Sequence, residues 1–136
     1  MNVLYQAHSG LRYLVLLAGL GALVALAVGG FSGRPVRAAR GLTSAFTGLL
    51  DLQILLGVAL VIGGIFYGAL IGHLSLMLVA AVVAHVAGVR ARKAGDERQA
   101  NRLRLIGVGV ALLCIVLGIT AIGRGIFSSA APTLGG

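Results

Sequence analysis

Charge is scarce in this chain. Of 136 residues, eleven are Lys or Arg and three are Asp or Glu, while 59% are hydrophobic. Soluble domains carry about 25% charged residues, so fourteen charged side chains cannot clothe a water-soluble surface of this size. Cysteine is nearly absent too. Cys114 stands alone, which excludes an intrachain disulfide, and its place inside an apolar block reads as a small packing residue. There is no CxxC, HExxH or GxSxG pattern and no phosphate-binding glycine loop, so hydrolase and nucleotide-binding readings have no support. A net charge of +8 can signal nucleic acid, but no basic run is interleaved with aromatics as a base-stacking surface requires. The basic residues flank apolar blocks instead, where anionic lipid headgroups attract them. Nucleic acid is therefore excluded as a partner, and the expected partner is the bilayer itself.

What the chain does have is long uncharged runs, at 13–33, 52–89 and 105–123. A helix needs about 20 apolar residues to cross a hydrocarbon core about 30 Å thick. The 38-residue middle run therefore holds most of two spans. The expected fold is all-α, a single polytopic domain over 1–136 with four transmembrane helices in an up-down bundle. The spacing predicts helices at about 11–31, 42–66, 70–90 and 103–123. Gly33, Arg34 and Pro35 break the chain after the first. Tyr67-Gly68 and Gly72 turn it between the second and third, and Ala94-Gly95-Asp96 interrupts the basic segment before the fourth. The residues 128–136 read as surface or frayed. Ala25-Leu26-Ala27 resembles a signal-peptide cleavage site, but nothing basic precedes Arg12, and the segment reads as a retained first helix.

Orientation follows from the short loops. Arg34, Arg37 and Arg40 lie in the first, and Arg90, Arg92, Lys93, Arg98, Arg102 and Arg104 in the third; the opposite side has Arg12 and Arg124. Nine against two places loops one and three in the cytoplasm and both termini outside it, in a bacterial inner membrane. So strong a bias argues against a dual-topology transporter or channel. Small residues recur at four-residue spacing, as in Gly21/Ala25/Gly29, Gly64/Gly68, Ala80/Ala84/Gly88 and Gly107/Ala111. Such rows let helices approach closely, either within this chain, in a homo-oligomer, or around a flat cofactor.

Ionisable residues at membrane depth are costly and mark candidate sites. His8 and Arg12 stand four apart on one face at the outer end of helix one, and His73 opens helix three at the same level. One reading is a haem b held between His8 and His73 as axial ligands to the haem iron, with Arg12 pairing a propionate. The other is three interfacial residues in contact with water and headgroups. Asp51 lies about 22 Å inward from the outer end of helix two, and His85 about 18 Å inward from His73. A carboxylate facing an imidazole there is either a structural clip or a proton-relay or quinone-contact site. Gln53 shares that level but points about 200° away from Asp51, toward a different neighbour.

The segments His8-Ser9-Gly10-Leu11-Arg12-Tyr13, Asp51-Leu52-Gln53 with Leu55-Leu56-Gly57, His73 with Met77, and Arg102-Leu103-Arg104-Leu105-Ile106-Gly107 together resemble a family of short four-helix bacterial membrane proteins loosely labelled cytochrome b-like. The resemblance spans nearly the whole chain and implies the fold and topology above. Many relatives carry His where this chain has Asp51, and often Glu where it has Gly72. The expected function is a small cytochrome-b-like redox membrane protein with His8 and His73 as haem ligands. The alternatives are a non-catalytic accessory or assembly subunit of a larger membrane complex, and a small proton-linked transporter using Asp51 and His85.

Overall fold

The computed structural model describes residues 2–29, 36–123, 125 and 126. Four helices follow one another, α1 (Asn2–Gly29), α2 (Arg37–Ile62), α3 (Leu70–Arg92) and α4 (Glu97–Ala121). Each is long and apolar enough to cross a membrane. They run up and down as a bundle. α1 packs on α2 and α3 on α4 over long interfaces, and the two hairpins meet through α1 with α4 and, less closely, α2 with α3.

The bundle is apolar outside as well as inside. Leu17, Leu55, Leu78 and Ile106 are all more than 60% exposed, which would be ruinous in water and is ordinary against lipid tails. The core is narrow and built on small residues. Phe46, Leu50, Val15 and Val108 fill it, with Ala22, Ala80, Ala84 and Ala111 between them. Close approach is tightest at Gly107, where an added Cβ would lie 2.2 Å from the Ala87 methyl. At Gly19 the added atom would meet the Leu112 side chain at 2.7 Å and the buried Phe46 ring at 3.0 Å.

Four helix ends differ from the expected ones by four residues or more, among them the start of α2, at Arg37 and not 42. α1 begins at Asn2, not near residue 11, because the stretch before Leu11 contains no breaker strong enough to stop it. α2 ends at Ile62, four residues short of 66. Gly63 caps it and Gly64 takes a positive φ of 96° that a side chain would disfavour. Gly64 and Gly68 therefore form a turn, not a helix-packing row. α4 starts at Glu97, six residues before 103. The Asp96 carboxylate accepts from the Gln99 backbone N–H at 2.7 Å, an N-cap that lets the helix begin within the polar segment. The expected break at Gly33-Arg34-Pro35, the charges Arg34 and Arg124, and the segment 128–136 lie outside the described residues.

Candidate functional site

His8 and His73 line the same cavity, at the end of the bundle where α1 begins. The early start of α1 puts His8 in its second turn and Arg12 in its third, so neither sits at a helix end. Both face inward. Arg12 is 8% exposed and Ser9 9%. The Arg12 guanidinium donates to the Tyr13 hydroxyl at 2.9 Å and lies 4.8 Å from its ring centre.

The two histidines are held alike. His8 Nδ1 lies 3.1 Å from the Gln53 backbone carbonyl, and His73 Nδ1 lies 2.9 Å from that of Gly118. A carbonyl can only accept, so each ring carries its proton on Nδ1 and offers a lone pair on Nε2. Each ring also rests where its neighbouring helix has a glycine. A Cβ at Gly57 would stand 3.2 Å from His8, and one at Gly118 would stand 3.3 Å from His73.

This likeness reflects a repeated hairpin. Each histidine bonds a carbonyl 45 residues further along, and His73 and Gly118 each lie 65 residues after His8 and Gln53. The same offset links Tyr5 to Leu70, Arg12 to Met77, Leu50 to Ile115 and Gly57 to Ile122, and all eight line the cavity. Every buried residue of α3 (Met77, Ala80, Ala84 and Ala91) has a buried counterpart in α1 (Arg12, Val15, Gly19 and Leu26). The cavity therefore lies on an approximate two-fold axis along the bundle, with equivalent imidazoles on either side. In the sequence the traces are slight: His-x-x-Leu at 8–11 and again at 73–76, and Leu-x-Ile at 52–54 and again at 117–119.

Gln53 breaks the symmetry. Its side-chain amide donates to the His8 carbonyl at 2.9 Å and to the His8 Nε2 lone pair at 3.3 Å. Its carbonyl oxygen Oε1 is buried without a hydrogen-bond partner. Flipping the amide would set two acceptors against each other at His8 O, so the orientation is determined and the orphan acceptor is real. Leaving it so costs about 1–3 kcal/mol. The companion of Gln53 is thus His8, a different neighbour from the Asp51–His85 pair, as its position around the helix implied.

Asp51 and His85 do meet. His85 Nε2 lies 2.9 and 3.0 Å from the two carboxylate oxygens. The pair is not enclosed, however, since the side chains are 45% and 54% exposed on the outside of the α2–α3 seam. Nor does it join the first cavity. A second cavity of about 450 Å³ lies along this seam, lined by His85 with Arg40, Thr43, Thr47, Arg92 and Arg104 among others, and it shares no residue with the first.

The first cavity measures about 90 Å³. As a donor set its residues would serve a bis-imidazole haem through His73 Nε2 and through His8 Nε2 once the latter gives up its hydrogen bond from the Gln53 amide, with a buried guanidinium for a carboxylate. Among the described residues no three His, Cys, Asp or Glu gather to hold a metal ion. The volume is smaller than a porphyrin, so haem would need the helices around the cavity to move apart. The chain matches no family model, no curated protein and no solved structure.

Proposed function

We propose that this chain is a small redox protein of the bacterial inner membrane, holding haem b between His8 and His73. One observation carries the reading. Two imidazoles occupy equivalent places across one cavity, each with Nδ1 anchored to a backbone carbonyl, which orients the ring; His73 Nε2 is left as a donor, and His8 Nε2 would exchange its hydrogen bond from the Gln53 amide for the iron. Bound there, haem would supply a one-electron centre. Arg12 would pair a propionate, and Val15, Leu50, Ile115 and Ile119 would keep water from the site. A reduced-minus-oxidised spectrum of protein purified from haem-sufficient cells tests this. Split Soret-region and α-band features are expected, and a colourless preparation overturns it.

A second reading is favoured by the orphan Gln53 Oε1 and by the cavity volume. A quinol headgroup is flat and brings two O–H donors, for which Gln53 Oε1 and His73 Nε2 are acceptors. Quinone recovered by solvent extraction from a colourless preparation selects it. A preparation with neither group returns the chain to the accessory-subunit reading. The transporter reading has lost support, because the Asp51–His85 pair lies on the outside of a seam and no shared residue links the two cavities.

In this proposal the arginine-rich end faces the cytoplasm. Arg37, Arg40, Arg90, Arg92, Lys93, Arg98, Arg102 and Arg104 all flank the α1–α2 and α3–α4 connections. In a Cys114→Ala background, an impermeant thiol reagent added to intact cells should label a cysteine at Ala69 and spare one at Gly95. Labelling at Gly95 reverses the orientation.

A further inference from the structure

We propose that the cavity on the α2–α3 seam binds the phosphate of an anionic phospholipid headgroup. It opens at the end of the bundle that carries the α1–α2 and α3–α4 connections, where headgroups lie, and is lined by Arg40, Arg92 and Arg104. Among the described residues, Glu97 is the carboxylate that meets these arginines. It pairs with Arg40 and stands 4.0 Å from Arg104, which also donates to Asn101 at 3.2 Å. Three guanidinium groups against the carboxylates of Glu97 and Asp51 leave an excess of one positive charge around the cavity. His85, bonded to Asp51, lines the part of the cavity farther from that end.

The room is specific to this seam. Its two-fold counterpart, between α1 and α4, is filled by Leu23 and Leu112. The residues at the corresponding places here are Gly88 and Thr47, both lining the cavity. Thr43 and Thr47 donate their hydroxyls to the Ala39 and Thr43 carbonyls, so they add no cost in lipid and leave phosphate recognition to the arginines. A Cβ at Gly88 would stand 3.5 Å from an Arg92 guanidinium nitrogen and touch nothing else, so the Arg92 head lies along the space that glycine leaves. Basic pockets between helices at a membrane face are suited to anionic headgroups in this way.

The test is lipid retention, read by native mass spectrometry of protein released from nanodiscs of phosphatidylcholine with phosphatidylglycerol. Wild type should keep one phosphatidylglycerol molecule. Arg92→Gln should bind it about fivefold more weakly, as expected for one arginine near a charged lipid surface. Thr47→Leu/Gly88→Leu, which copies the closed seam and removes no charge, should lose it while keeping the helical circular dichroism of wild type. Inorganic phosphate in millimolar excess separates the two sources of the same chemistry. Failure to displace the lipid identifies the headgroup as ligand, and displacement with phosphate retained in its place would make free phosphate the ligand and overturn the headgroup assignment. Equal phosphatidylglycerol retention by wild type and both variants, or no preference over phosphatidylcholine, overturns the site altogether.

Discussion

The α1–α4 and α2–α3 seams occupy equivalent places around the two-fold axis, yet one is shut and the other open. On the closed side Leu112 presses on Gly19, and Leu23 lies beside Gly109. On the open side the corresponding residues are Thr47, Ala84, Gly88 and Ser44, and all four line the polar cavity. Val116 and Leu20 stand where the other seam has Asp51 and His85. Nearly identical backbone frames therefore support opposite surfaces, and a few side chains decide which. At the other end of the bundle the histidines keep the symmetry, although Gln53 departs from it. The same two hairpins there deliver matching imidazoles to a shared cavity, which is what a group on the axis would require.

The largest effect expected from this symmetry concerns the histidines. His8→Ala and His73→Ala should each remove the haem spectrum completely, to the same extent, without loss of helical circular dichroism. Retention of a full spectrum by either variant would show that the two positions are not equivalent. A smaller effect separates the seams. Gly19→Ala should lower resistance to denaturant by about 1–3 kcal/mol, because the fully buried Phe46 ring cannot retreat from the added methyl. Gly88→Ala should be neutral or raise it by up to about 1 kcal/mol, the usual gain for Ala over Gly in a helix. Equal losses at both positions would mean that the α2–α3 seam is not open in the membrane. The smallest effect is expected from making the seams alike. Asp51→Val with His85→Leu, copying Val116 and Leu20, should leave stability unchanged or slightly higher, whereas each single substitution should lower it by about 1 kcal/mol. A double variant less stable than both singles would assign the pair a structural role beyond its own contact.

Part of the candidate site is legible in the sequence. His8, Arg12 and His73 stand out because ionisable residues are rare in spans, and helix rise alone places them near one end. Matched depth likewise brings Asp51 near His85. Rise gives depth but not direction, which is why the exposure of that pair is not legible. The role of Gln53 is hidden for the same reason, since its partner depends on which helix α2 faces. Tyr5 lies outside the expected first helix, because the start of α1 carries no cap signal to announce it. The open seam is written in Thr43, Thr47 and Gly88, but these residues mean an opening only beside the leucines that close the opposite one.

The sequence by itself determined that there are four helices and where their charged ends lie. Uncharged runs of this length leave the backbone no water to bond, so each must satisfy its own hydrogen bonds as a helix, and the arginines gather beyond the apolar runs. Only the tertiary structure decided which faces turn inward, that the two hairpins repeat each other, and that the histidines converge on one cavity. The reason lies in the solvent. Lipid tails are as apolar as a protein core, so residues facing outward resemble those facing inward, and the pattern that would reveal a buried face in a soluble helix is absent.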